Sequence, residues 1–532
     1  MAAAASSSSS SATAARRDVE AQQSNKSQKN SHWSILTDQA GVDDAVLNHK
    51  YSGHGTNESP YLVEFLPVDP RNPMTFPSLF KWQIMIISAV STLAVSFTSS
   101  AYSGSILAVK DEFHASIEVV TLGVSMFVLG FAIGPLFWAP FSELYGRQKL
   151  FFLTYMALTA FNAAGAGAPN MTALIVLRFM AGAWGSSPLT NSGGVIADLF
   201  TATERGIATS IFAIAPFLGP ALGPIAGGFL AEAQGWRWVE GLTAIFTGAL
   251  WIIQTLVAPE TYSPVLLRRR AEELSRRTGK VYISKVDAAM PRKTLLGQIK
   301  VNLSRPWVLL FKEPIVFLTS IYMAIVYGTL YLCFAAFPIV FQSPYPEGWG
   351  WKAGVGGLSF VGIAIGMIAS TAGSILDNRR YARIAAKCGG TAPPEARLPP
   401  AVAGGVLLPV GLFWFAWTNG TNVHWVVPII GSSVFAAGLV LVFLSLLNYL
   451  IDSYVIYAAS VLAASAVLRS LFGYGEKIRL KCKYSAEASH IFQQILAKQQ
   501  PALEDDGATE SDEGMRGKRN EGVKSAPTAV LP

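Results

Sequence analysis

Residues 219–228 read Gly219-Pro220-Ala221-Leu222-Gly223-Pro224-Ile225-Ala226-Gly227-Gly228, four glycines and two prolines inside an otherwise apolar run. In a helix surrounded by water each glycine costs about 1 kcal/mol and each proline roughly 3, so such a run excludes a soluble helix. Hydrocarbon enforces helicity where water does not, because an unpaired backbone group there costs more than a kink. Small residues one turn apart also let a neighbouring helix approach backbone to backbone. The run therefore predicts a kinked, tightly packed membrane helix.

The remainder of the chain fits that reading. Of 532 residues 51% are hydrophobic and only 14% charged, a composition that points to a polytopic membrane protein. Eleven apolar stretches approach the ~20 residues that span a bilayer. They cover about 81–106, 118–141, 150–168, 171–197, the stretch ending in the 219–228 run, 236–258, 314–341, 353–376, 398–418, 425–447 and 454–472. The net charge of +7 comes from basic residues that flank these stretches, which argues for membrane topology and against a nucleic-acid partner. Between Arg268 and Lys312 there are twelve basic residues against three acidic ones, which places that connector in the cytoplasm. Cys333, Cys388 and Cys482 form neither a disulfide framework nor a metal-ligand pattern. The expected organisation is a disordered cytoplasmic tail over 1–80, a first bundle over 81–258, a basic cytoplasmic loop over 259–313, a second bundle over 314–473 and a polar tail over 474–532.

Several side chains stand out against this background. Ser88, Thr92, Ser96, Ser99 and Ser103 recur at helical spacing on one face of the first span. Packing through small polar residues and contact with an aqueous cavity explain that stripe equally well. Arg178 lies seven residues into the fourth span, about 10 Å deep at 1.5 Å per residue. An ionisable residue at such a depth is a functional candidate by default. Tyr327, Tyr331 and Phe334 form an aromatic stripe whose hydroxyls need partners in mid-membrane. Glu118, Glu232 and Glu240 lie near outer helix ends, so no proton-titrating carboxylate is picked out, and Arg469 is placed near the outer end of the last span. The acidic and basic cluster of residues 377–383 after the eighth span repeats that of residues 142–149 after the second, which suggests an internal duplication. Asn419-Gly420-Thr421 is a possible glycosylation acceptor. Phosphate-loop, nucleophile-elbow and zinc-protease motifs are absent, so an enzyme is not expected.

Four stretches carry a family resemblance. Residues 134–149, with Ser142, Glu143, Gly146 and Arg147, are similar to the helix 2–3 signature of the major facilitator superfamily, although Gln148 stands where a basic residue is common. Arg178-Phe179-Met180-Ala181-Gly182 resembles its helix 4 arginine motif, and residues 219–228 its helix 5 antiporter motif. Pro259-Glu260-Thr261-Tyr262 and Asn448-Tyr449-Leu450-Ile451-Asp452-Ser453-Tyr454 resemble signatures of the fungal twelve-span drug:proton antiporters, a group that includes polyamine and azole exporters.

The resemblance implies an all-α polytopic fold of two pseudo-symmetric six-helix bundles that rock about a central cavity. It also implies a secondary active exporter of drugs, polyamines or other small amphipathic or cationic molecules, powered by the proton gradient without a cofactor. Such a protein is expected as a monomer in the plasma membrane with a cytoplasmic amino end. On this pattern Arg178, Ser96, Ser99, Tyr327 and Tyr331 would serve the substrate and coupling cavity, and Glu143, Gly146, Arg147 and Asp198 an inner charge latch. Gly219, Pro220, Gly223, Pro224, Gly227 and Gly228 would seal the helix 5 interface. A uniporter or metabolite importer, and a non-transporting truncated product, stay open as alternatives. The last follows from a departure: relatives continue past the position of Gly473 and add a twelfth helix, so ~40 residues, about two half-loops and a span, are expected to be missing between Gly473 and Tyr474.

Overall fold

Each apolar stretch closes its own backbone hydrogen bonds, as hydrocarbon requires, and the computed structural model, which describes residues 32–67, 69–289, 295–345, 348–388, 392–454 and 458–479, is accordingly built from helices. The long ones are α1 (Ser78–Ala101), α2 (Ile117–Tyr145), α3 (Arg147–Ala166), α4 (Met171–Leu199), α5 (Ala215–Gln234) and α6 (Trp236–Val257) in the first half. The second half holds α7 (Pro314–Gln342), α8 (Phe360–Lys387), α9 (Pro399–Thr418), α10 (Val426–Ser453) and α11 (Ala458–Arg479). Among the described residues seven segments are long and apolar enough to cross a membrane: Ser78–Phe113, Ile117–Tyr145, Trp236–Val257, Pro314–Gln342, Ala353–Lys387, Pro399–Thr418 and Val426–Ser453. The helices α3, α4 and α5 fall short of that measure, and within α11 the stretch Val461–Phe472 is apolar. In α3 and α4 the cause is visible as Arg147, Lys149, Asn162, Arg178, Asn191 and Asp198.

Glycine sets the helix crossings in both halves alike. A Cβ on Gly130 would lie 2.6 Å from the backbone of Gly182, so α2 and α4 touch main chain to main chain. One on Gly362 would lie 2.6 Å from the Ile429 carbonyl, and Gly366 faces Ser433, which gives α8 and α10 the same crossing. This repetition is the structural form of the duplication.

The structure departs from the sequence reading at four places. The interruption near the Gly/Pro run precedes it: a short helix Ala202–Phe212 stops before α5, which then runs unbroken through Pro220 and Pro224. Pro216 opens α5 and has no N–H to offer the preceding turn, so the break falls there. The cluster of residues 377–383 is not a turn, because α8 continues through it to Lys387 with Arg380 Nε bonded to Asp377 at 2.6 Å. The bundle does not end at Gly473, since α11 passes through Gly473 and Tyr474 to Arg479, and Arg469 therefore sits at mid-helix instead of near an outer end.

The fourth departure concerns the tail over 1–80, of which residues 1–31 lie outside the described residues, as do residues 480–532 of the other tail. The described part of this tail carries regular structure, with helices His32–Thr37 and Asp44–Leu47. Strand β1 (Tyr61–Val63) pairs in parallel with β2 (Tyr282–Ser284) of the basic connector, in the register Tyr61↔Tyr282. Val46, Tyr51 and Val63 pack on Leu267, Ala271 and Leu274 of the helix Ser263–Thr278. Arg270 and Asp69 form an ion pair there with both side chains only 1% exposed. Neither segment carries enough apolar surface alone, and each completes the other across some two hundred residues, which no local period reveals.

Candidate functional site

Arg178 of α4 is fully buried among four helices, and every face of its guanidinium is used. Nη1 donates to Glu240 Oε1 of α6 at 2.5 Å, and Nε donates to the Gly123 carbonyl of α2 at 2.8 Å. Nη2 donates to the carbonyls of Thr98 and Ser99 of α1 at 3.2 and 3.3 Å. The rings of Tyr102 and Phe127 lie 4.4 and 5.1 Å from its central carbon. Both partners of the ion pair are 2% exposed. Charges taken this far from water persist only with such complete pairing.

Glu240 is the residue that the sequence reading set aside. It lies four residues from the start of α6, and Arg178 seven from the start of α4. Both helices enter from the same side, so the two side chains meet at one depth. Helix starts on the same side, four and seven residues away, are the signal that pairs them.

Two residues of the serine stripe of α1 make contacts on different sides of the helix. Ser96 faces α5, where a Cβ on Gly219 would lie 2.7 Å from Ser96 Cβ, so it serves packing. Ser99 faces the other half. Its hydroxyl is 3.2 Å from the Tyr331 hydroxyl of α7, which accepts from the Tyr327 hydroxyl at 3.2 Å. Ser99 and Tyr331 are buried. They form a direct polar contact between the halves, one peptide from the carbonyls that hold Arg178.

The Gly/Pro run forms a close seam on two sides. Along α1, a Cβ on Gly219 would lie 2.6 Å from the Leu93 carbonyl, one on Gly223 would lie 2.7 Å from Ala101 N, and Gly227 abuts the Ala101 carbonyl. Toward the second half, a Cβ on Gly228 would lie 2.5 Å from the Ala353 carbonyl, and one on Gly357 would lie 2.6 Å from the Pro224 carbonyl. Pro220 and Pro224 are buried in the same seam. Glu232 Oε2 accepts from Gly354 N at 3.1 Å, which ties the end of α5 to the short helix Ala353–Gly357.

At the opposite end Gly146 turns the chain from α2 into α3 with φ +93° and ψ 162°, a conformation open to glycine. Arg147 Nε donates to Asp198 Oδ2 at 2.6 Å, so Gly146, Arg147 and Asp198 do come together. The Glu143 side chain, at the end of the same α2, is exposed. The buried carboxylate at this turn is Glu260, whose Oε1 accepts from Arg147 N at 2.9 Å and whose Oε2 accepts from Gln148 N at 3.3 Å. It caps the N-terminus of α3, where unpaired N–H groups attract negative charge. A Cβ on Gly146 would collide with this carboxylate. Burial pushes the Glu260 carboxyl above its ordinary value, opposed by hydrogen bonds from the Tyr262, Arg147 and Gln148 backbones. In the second half Arg397 Nε donates to Asp452 Oδ2 at 2.9 Å, which repeats the Arg147–Asp198 pair at the matching helix ends.

Beside this latch a cavity of about 410 Å³ opens between α1, α3 and α6, lined by Ser88, Arg147, Tyr155, Trp251 and Gln254 and covered by Gln39. It lies at the helix ends, away from Ser99 and Tyr331. Among the described residues no cluster of histidine, cysteine or carboxylate is placed to hold a metal ion.

A family model described as Major Facilitator Superfamily matches residues 86–474. The chain is 52% identical to an MFS-type efflux pump of Trichophyton rubrum, over 92% of this chain and 88% of that one. It is 52% identical to the major facilitator superfamily multidrug transporter mdrA of Aspergillus fumigatus, over 93% and 88%. The efflux pump FUBT of Fusarium oxysporum is 48% identical over 94% and 91%. Among solved structures, the xylose transporter XylE from E. coli in a partially occluded inward open conformation superposes with a TM-score of 0.54 at 16% identity, covering 75% of this chain and 90% of that one. That likeness concerns the fold.

Proposed function

The chain belongs to the major facilitator superfamily, multi-pass membrane transporters, and from that premise we propose that it exports small amphipathic molecules across the plasma membrane in exchange for inward-flowing protons, with its amino end in the cytoplasm. Efflux is supported by the relatives, which at about half identity over nearly the whole chain are efflux pumps and multidrug transporters. Proton coupling rests on one observation: Arg178 binds Glu240 and the carbonyls of Thr98 and Ser99 at once.

A proton on Glu240 removes the counter-charge of a guanidinium that is otherwise sealed in protein. The arrangement that was fully paired then holds an uncompensated buried cation, a costly state. The relief available is a change in how Arg178 grips α1, and the next group along α1 is the Ser99 hydroxyl that touches Tyr331 of the other half. Protonation and bundle contact thus share one peptide. A ligand or proton shifts such an equilibrium only through a difference in binding between the two states, and this shared peptide supplies the difference.

The test is expression in a pump-deficient yeast. The wild-type chain raises tolerance to several unrelated toxicants, and a protonophore abolishes the gain. Arg178→Ala loses the gain while reaching the surface in wild-type amount. Tolerance that survives in the variant removes Arg178 from coupling, and gain that survives the protonophore removes the proton.

A further inference from the structure

The second half also carries a cation deep in a helix, and it is paired differently. Arg469 lies near the middle of α11, eleven residues from its first residue, about 16 Å along the axis at 1.5 Å per residue. Its central carbon stands 4.9 Å from the ring of Tyr327 and 5.5 Å from that of Phe443. Its Nε is buried and has no hydrogen-bond partner. Among the described residues no carboxylate pairs with it. Of the acidic residues of the second half, Asp377 and Asp452 are engaged with Arg380 and Arg397, and Glu313 accepts from the Tyr454 hydroxyl.

Two aromatic faces stabilise a desolvated guanidinium by a few kcal/mol at most, far less than its loss of hydration. The contrast with Arg178 sharpens this, since that guanidinium has a carboxylate and three carbonyls. Around Arg469 the neighbouring polar groups are the hydroxyls of Tyr327 and Tyr331, bonded to each other and to Ser99 across the halves. Phe443 continues the same layer to Phe217 of α5, a further contact between the halves, with centroids 5.4 Å apart. When the halves part, the Ser99 contact breaks, and the layer presents tyrosine hydroxyls, aromatic faces and an unneutralised cation to whatever enters.

We propose that this layer is the anion-binding half of the substrate site: Arg469 receives a carboxylate or comparable anionic group of the exported molecule, Tyr327 and Tyr331 donate to it, and Phe443 and Phe217 hold an apolar or aromatic body. This rests on the transporter reading given above and narrows its substrates to amphipathic anions. Arg469 acts on binding and selectivity. Arg178 and Glu240 act on coupling.

The experiment uses the full chain purified in detergent and compares 4-phenylbutyrate with 4-phenylbutyramide by intrinsic tryptophan fluorescence. The two probes share an aromatic body and differ in the charge at the head. The wild type is expected to bind the acid about tenfold more tightly than the amide, the order of difference that one charge-assisted hydrogen bond gives over a neutral one. Arg469→Gln is expected to bring the acid down to the amide while amide binding stays unchanged, which also reports an intact fold. Arg469→Lys keeps part of the preference. Equal binding of acid and amide by the wild type, or an acid preference that survives Arg469→Gln, overturns the proposal. Because binding is read without a proton gradient, a failure of coupled transport leaves this result standing, and loss of the acid preference leaves the protonophore test standing.

Discussion

Glu240→Gln is the sharpest perturbation of the buried pair, because it removes charge and keeps shape. The amide can still accept from Arg178 Nη1 across the present 2.5 Å contact. A hydrogen bond to a charged group contributes about 1.5–3 kcal/mol and a neutral one about 1, so this contact alone loses about 1 kcal/mol. The larger part is the guanidinium left without a counter-charge at 2% exposure, and breaking a buried pair from one side costs about 3–5 kcal/mol in all. The retained hydrogen bond places the expected loss for Glu240→Gln near the lower figure, about 3 kcal/mol. Arg178→Met combined with Glu240→Leu removes both charges and fills similar volume, a change that is often neutral for stability. Thermal unfolding of the purified chain should therefore show the double variant more stable than Glu240→Gln alone. Proton-driven accumulation of a fluorescent substrate in vesicles should be lost in both. A double variant no more stable than the single one would refute the assignment of the loss to an orphaned charge, and a double variant that still accumulates substrate against a gradient would refute coupling through the pair.

Two further outcomes test the ends of the structure. Gly146→Ala should lower thermal stability more than Gly235→Ala: both positions have positive φ, +93° and +88°, but a Cβ meets the Glu260 carboxylate at Gly146 and nothing within 4 Å at Gly235. Backbone strain costs about 1–3 kcal/mol at either site, and the excess at Gly146 measures the carboxylate contact. Asp69→Asn should free Arg270 and loosen the pairing of β1 with β2, seen as faster proteolysis within residues 32–77 and unchanged protection of the long helices.

Hydrophobic length and charge bias made the long helices legible, because a bilayer imposes one solution on any apolar stretch of sufficient length. The seam of the Gly/Pro run was legible for the same reason: a small residue each turn has few uses besides close approach, and Gly223 and Gly227 meet α1 as that spacing implies. Pairings between distant segments were not legible. Glu240 looked peripheral because depth was counted along one helix at a time, although two helices entering from the same side bring their early residues together. Glu260 carried no visible role until the turn at Gly146 placed two N–H groups against it. Arg469 was misplaced for a different reason: Gly473 and Tyr474 read as a stop, yet a glycine within a helix costs only about 1 kcal/mol, and α11 absorbs it.

On the two proposals above, the deep arginines divide the work between the halves. Arg178 is fully paired in this structure, so on the proposed coupling its half changes state when a proton removes the Glu240 charge. Arg469 has an unpaired Nε and no carboxylate partner among the described residues, so on the proposed anion site its half gains from an anion that arrives when the halves separate. Ser99 lies between them, its carbonyl held by Arg178 and its hydroxyl against Tyr331, which in turn bonds the ring that covers Arg469. A proton entering at Glu240 and an anion leaving Arg469, as proposed, would act on the two sides of one serine. Under the proposed coupling, exchange requires each event to be unfavourable without the other, and the Ser99–Tyr331 contact is where the two would depend on each other.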